Sequence, residues 1–209
     1  MGFANKGELK DAIVSHIDDD DLVSQVDDFI TLAEARHNRE IRIREMLSRA
    51  PLTIDDRFID LPADFLEAKY LRVEIPSVSS GLRFYPEIYE KSIDELTKIS
   101  VLDEKRPAAF AIHDAIEFDC PPDQDYTGEL LYYAPLAALD EDDDSNALLV
   151  RAPDAYLYAA LSATAPFLLH DERIPTWEAL YERARDGLNA VARRRTGPLV
   201  ARVGGSKVR

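Results

Sequence analysis

The spacing of apolar residues changes period twice along this chain, and no other feature limits the possible folds as much. No glycine or proline falls between residues 22 and 49, and Leu22, Val26, Phe29, Ile30, Ala33, His37 and Ile41 recur at helical spacing. The pattern predicts one long helix over 22–49, stopped by Pro51, whose ring cannot continue it. From about 52 to 135 the period falls to two, with Leu71, Val73 and Ile75 alternating against Tyr70, Arg72 and Glu74, as in a half-buried strand. Helical spacing returns after the acidic run at 140–144.

Leu9, Ile13 and Ile17 add a short helix at about 8–17. In the middle of the chain, further strands are expected near 52–60, at 82–85, at 109–118 with a turn at His113 and Asp114, and at 128–134, with one helix over 88–99. Seven of the twelve prolines lie between Pro51 and Pro122 and punctuate these short segments, so an antiparallel sheet is the simplest reading. In the last third, Ala155, Ala159, Ser162 and Ala163 give a helix at 153–169 a small-residue face, ended or kinked at Pro166. A final helix over 175–195 carries Trp177, Leu180, Tyr181, Ala184, Leu188 and Val191 on one side, a face that must pack on something. Neither helical pair covers its stripes alone. The expected fold is therefore α+β: a four-helix bundle from 1–51 and 136–195, an inserted antiparallel β segment at 52–135, and a basic extended tail at 196–209.

Charge narrows the function. The chain of 209 residues has 25 lysines and arginines against 40 acidic residues, a net charge of −15. That argues against broad nonspecific attachment to nucleic acid or to an anionic membrane. No apolar run approaches the roughly 18 residues of a membrane helix, and MGFANKGELKDAIV has neither the basic region nor the apolar core of a signal peptide. No membrane partner is expected. The sequence DEDDDSN at 140–146 opens like a calcium loop but has Ser145 where glycine is required and Arg151 where a bidentate glutamate is required. Lone Cys120 and four scattered histidines have no zinc spacing. No nucleophile elbow, dinucleotide fingerprint or phosphate loop occurs. The reading is of a protein with no catalytic residues, cofactor or metal, in which His37 is a packed or interface side chain rather than a base.

The cationic groups are local. Arg36, Arg39, Arg42 and Arg44 are interleaved with Glu34, Glu40 and Glu45 at ion-pair spacing, and such exposed pairs are worth only about 0.3–0.5 kcal/mol each. These four arginines are therefore assigned to contacts with partners. Residues 193–209 hold six basic and no acidic side chains, which leaves −21 on the first 192. Arg193, Arg194, Arg195, Arg202, Lys207 and Arg209 with Leu199, Val200 and Val203 suit an extended clip that orders on binding.

Three stretches resemble the head-to-tail adaptor (connector, head-completion) proteins of short-tailed bacteriophages: FITLAEARHNREIRIREM at 29–46, IDLPADFLEAKYLRV at 59–73, and the succession YYAPLAAL, LLVRAPDAYLYAAL, APFL, DER, WEALYERA between 131 and 195. His37 stands where the family has an aliphatic residue and Ala147 where it has a large aromatic. The resemblance implies a structural virion protein, assembled in the bacterial host cytoplasm and sited at the head–tail junction. Its implied partners are the portal protein, neighbouring adaptor subunits in a twelve-membered ring, tail or nozzle proteins, and genomic DNA passing through without specific recognition. Self-repulsion at −15 per copy predicts a monomer until a template is present. The alternative is a DNA-binding or packaging accessory acting through the tail and the arginine-rich helix.

Overall fold

Asn5 opens the first helix: its side chain accepts from Glu8 N at 3.0 Å, and the Glu8 carboxylate accepts from Ala4 N at 2.8 Å. The first bond satisfies a donor that a helix start leaves without a partner, and the second ties the residue before the cap to the first turn. The computed structural model describes residues 2–17, 20–76, 83–84, 86–168 and 171–196. In chain order these form α1 (Lys6–His16), α2 (Asp20–Val23), α3 (Val26–Glu40), a 3-10 turn (Arg44–Met46), β1 (Leu47–Ile54), β2 (Phe58–Asp60), β3 (Glu67–Val73), β4 (Ile75–Pro76), β5 (Arg83–Phe84) and β6 (Glu87–Glu90). There follow α4 (Ile93–Ile99), β7 (Ala109–Ile112), β8 (Ala115–Phe118), β9 (Tyr126–Tyr133), α5 (Ala147–Arg151), α6 (Pro153–Ala163) and α7 (Ile174–Thr196). The chain divides into two units, residues 1–44 with 136–209 and residues 45–135.

The helical unit is not a four-helix bundle. The helix expected over 22–49 is broken near residues 24–25 and ends at Glu40. Ile41 and Ile43 are both buried while Arg42 and Arg44 between and after them are not, so the period has already fallen to two ten residues before Pro51. Pro51 sits inside β1, an edge strand, where its missing N–H costs no ladder bond on the open side. In the last third α5 and α6 are separate helices. Asn146 caps α5 by accepting from Leu148 N and Leu149 N at 3.1 and 3.0 Å, and Pro153 restarts the chain at the first turn of α6. The core of this unit joins Phe29, Ile30 and His37 of α3 to Ala155, Tyr156 and Ala159 of α6 and Trp177 and Tyr181 of α7.

The second unit is a seven-stranded mixed sheet in the order β1-β9-β3-β6-β7-β8-β2, with β4 and β5 paired separately. It has its own core, including Ile54, Leu71, Phe110, Phe118, Leu130 and Tyr132, and is a mixed, nearly closed sheet rather than the antiparallel segment expected over 52–135. β6 and β7 pair in parallel, Tyr89 opposite Ala109 and Glu90 opposite Phe110. Parallel neighbours require a crossover of a dozen or more residues, and residues 91–108, with α4 capped by Ser92, supply it. A helix between two strands was the signal for this pairing.

The sheet is also nearly closed. Its two edge strands, β1 and β2, are consecutive and joined by residues 55–57 alone. Seven flat strands would hold their edges about 29 Å apart, whereas so short a link reaches about 14 Å. The sheet therefore curls into a barrel-like shape.

Candidate partner interface

On the helical unit, α3 and α7 are tied by a network of side chains that starts at Arg36. Its Nη1 donates to Glu178 Oε2 at 2.9 Å, its Nη2 donates to Glu178 Oε1, and its Nε donates to Glu40 Oε1 at 3.0 Å. The other Glu40 oxygen accepts from Arg185 Nη1 at 2.9 Å. The Arg36 guanidinium lies 3.9 Å from the centre of the Tyr181 ring, close enough for a cation–π contact. The hydrogen bond from Arg36 holds the Glu178 carboxyl below the ordinary carboxylate range, against the opposing effect of burial. Burial raises Glu40, but the bonds from Arg185 and Arg36 outweigh it and leave that carboxyl lowered.

One turn beyond Arg185, Asn189 decides where α3 stops. Its Nδ2 donates to Glu40 O at 2.8 Å and its Oδ1 accepts from Arg42 N at 2.9 Å, taking the place of the next helical turn for both groups. Arg42 Nη1 in turn donates to Asn38 O and Ile41 O at 2.8 and 2.7 Å. Replacing Asn189 by alanine leaves a carbonyl and an amide without these partners. The expected cost is about 1–3 kcal/mol, read as a shift of the urea midpoint, with aspartate at the same position recovering only part because it lacks the donor.

His37 is buried behind this network. Its ring meets Tyr156 edge-on at 4.5 Å and stacks with Tyr181 at 5.9 Å, and Nε2 lies 3.3 Å from Ala155 O. Burial lowers its pKa to about 4, so it is a neutral packed side chain donating to that carbonyl. Tyr156 extends the same interior: its hydroxyl accepts from Asn146 Nδ2 at 2.6 Å and donates to Glu34 Oε1 at 3.3 Å. Glu34 Oε1 also accepts from Leu139 N at 3.0 Å.

The acidic loop is tied to the start of α1 and braced by its own side chains. Asp144 Oδ2 accepts from Asp140 N and Glu141 N at 2.9 and 2.8 Å. The backbone oxygens of Asp144 and Asp142 accept from Lys6 N and Gly7 N in the first turn of α1. Among the described residues no group of three or more histidine, cysteine or acidic side chains is placed to hold a metal. Cys120 is buried, and burial pushes its thiol up to about 11.

The apolar face of α7 is only half covered. Trp177 and Tyr181 are buried, but Leu180, Ala184 and Leu188 are only partly so and Val191 is exposed. With Tyr158 of α6 these four side chains line an open groove of about 570 Å³ whose charged lining is Arg151, Asp154 and Arg183.

Of the residues assigned to partners, Arg36 and Arg42 are thus engaged within the helical unit; the side chains of Arg39 and Arg44 are both exposed, and that of Arg44 also has a contact within the chain. Arg193 is exposed near the end of α7, and Arg194 and Arg195 lie in its last turn. Thr196 closes the helix. Leu199, Val200, Arg202, Val203, Lys207 and Arg209 lie outside the described residues.

Compared with known families, residues 4–202 match the SU10 adaptor protein family. The chain belongs to that family. No curated protein matches it. The adaptor is a phage head-to-tail adaptor protein, a virion component whose class joins phage portal and tail proteins and is not typically enzymatic. None of its helices, among the described residues, is long and apolar enough to cross a membrane. The open groove on α7 agrees with a protein that works through its surfaces.

Proposed function

We propose that the adaptor docks on the portal as a twelve-membered ring, extends the DNA channel and presents the platform on which the tail is built. The observation that carries this reading is the match to the adaptor family over residues 4–202, nearly the whole chain. The polarised charge supports it: an acidic surface resists sticking to passing DNA, while the basic end at 193–209 offers a local anchor. In this reading Arg193, Arg194 and Arg195 lead into a clip formed by 197–209, and exposed Arg39 and Arg44 join contacts with the portal or a neighbouring subunit. The isolated chain stays monomeric, because bringing twelve copies of charge −15 together requires a partner surface to offset the repulsion.

Light scattering at ordinary buffer salt should therefore report the 23.5 kDa monomer, and imaging after addition of portal rings from the same phage should show an added ring. Deleting 197–209 should leave the melting temperature unchanged and strongly reduce portal binding. Stable rings formed without portal, or undiminished binding by the truncated chain, would count against the reading.

A further inference from the structure

The segment between α3 and β1 runs against its own local preference. IRIREMLSRA at 41–50 has no glycine or proline, and seven of its ten residues are arginine, glutamate, methionine, leucine or alanine, all strong helix formers. As a helix it would carry Ile43, Met46, Leu47 and Ala50 at i, i+3, i+4 and i+7, one apolar stripe. It would also pair Glu40 with Arg44 and Glu45 with Arg49 in the favourable i, i+4 order. The structure instead leaves 41–43 outside any helix, gives Arg44–Met46 a single 3-10 turn and starts β1 at Leu47. Disagreement between local signals and fold is characteristic of functional or strained sites, and short 3-10 pieces in a helical run often mark hinges.

What stops the helix is a clasp of side chains, with no helix-breaking residue. A continued α3 would bond Arg42 N to Asn38 O, Arg44 N to Glu40 O and Glu45 N to Ile41 O. Glu40 O and Arg42 N are both taken by the Asn189 amide, while Asn38 O and Ile41 O both accept from Arg42 Nη1. Each of these bonds has a backbone substitute in the continued helix, so opening the clasp leaves none of the four groups without a partner. Ile41 belongs to the α3 stripe and keeps its place in either form. The ladder of β1 with β9 begins at Leu47 opposite Tyr133, outside the segment. Burial of Ile43 and Met46 favours the form described. The boundary between the two units falls inside the segment, between Arg44 and Glu45.

We propose that residues 41–46 are a two-state joint between the units, closed by Asn189 and Arg42 in the form described and open when α3 continues through them. Arg42 is its handle. A carboxylate on a partner that pairs with this guanidinium draws Nη1 away from Asn38 O and Ile41 O, and favours the open form by its difference in affinity for the two. The joint belongs to the single chain and stands whether or not copies close into a ring.

Carbon-13 saturation-transfer NMR on the full chain tests it, because the method reads the backbone shifts of a minor form in slow exchange. The expected minor form, populated at about 0.1–10%, has helical Cα shifts at 41–46 and unchanged shifts over β1 from Ser48 to Ile54. Asn189→Ala removes two bonds that only the closed form makes, and should raise the ratio of open to closed about tenfold. Asn189→Asp keeps the acceptor for Arg42 N and should raise it less; this milder variant reads the joint even where the alanine variant does not fold. A minor form with coil shifts at 41–46, or no minor form in either variant, overturns the proposal and makes the clasp a fixed helix stop.

Discussion

Lowering the pH from about 7.5 to about 5 should weaken the folded adaptor by about 2 kcal/mol, and replacing His37 by leucine should remove that loss. Burial depresses the His37 pKa from 6.5 to about 4. Between those values the unfolded chain binds a proton that the folded chain refuses, so stability falls as pH falls. Below about 4 both states are protonated and the loss levels off. At about 1.4 kcal/mol per pH unit the full interval from 6.5 to about 4 comes to roughly 3 kcal/mol. The charged groups near the ring act in opposite senses, Arg36 lowering its pKa and Glu40 raising it. Tyr156 and Tyr181 remain neutral throughout, their phenols pushed up by burial.

The carboxylates act elsewhere in the titration. Glu40 and Glu178 are lowered, so their contribution persists until pH falls through values below the ordinary 4.5. Glu34 is raised by burial and has the opposite sign, the fold gaining as it protonates. Urea titrations at both pH values on the parent and on His37→Leu isolate the histidine. A parent whose stability is flat across this range, or a variant that loses as much, would refute the assignment. Leucine is apolar and close to the imidazole in size, so the variant should fold and pack.

Reversing Arg36 to glutamate should cost about 2–3 kcal/mol, whereas the same reversal at Arg39 should stay within about 0.5 kcal/mol. The difference lies in what each guanidinium touches. Arg36 is 19% exposed, pairs with Glu178 and Glu40 and lies over Tyr181. A glutamate at 36 would put a third carboxylate between those two and leave both short of donors. Glu178 is 40% exposed, so water relieves part of the penalty, which keeps the figure below that of a fully buried pair. Arg39 lies on the exposed side of α3. Thermal melts separate the two, and portal loading of the folded Arg39→Glu variant then tests the partner role. Equal melting of the two variants would mean that the α3–α7 network adds nothing beyond an exposed pair.

The arginines show how far a sequence reading reaches. Their spacing from Glu34, Glu40 and Glu45 is local and was legible, and it pointed to weak pairs along one helix. The strong partner of Arg36 is Glu178, 142 residues away, and no local spacing reports it. The end of α3 was partly legible: the alternation of isoleucine and arginine from Ile41 to Arg44 marks the change of period, although the unbroken run to residue 49 obscured it. The groove on α7 left a trace in Gly187, which lines it, a helix-weakening residue in the most amphipathic segment of the chain.

What the sequence determined by itself is what depends on residues close together along the chain. That covers the helices α1, α6 and α7, the turn at His113 and Asp114 between β7 and β8, the α+β class, the lack of catalytic motifs and the family pattern. A period of 3.6 or 2 sets which side chains share a face, and neighbours within a few residues suffice to write it. The tertiary structure alone decided what each face meets. Asn189 reaches across 149 positions to end α3 at Glu40, the crossover through α4 sets β6 and β7 parallel, and the three-residue link between β1 and β2 curls the sheet. These outcomes are fixed by hydrogen bonds and chain closure between distant segments, which compete with local preference and, where a buried donor or acceptor would otherwise go without a partner, prevail over it.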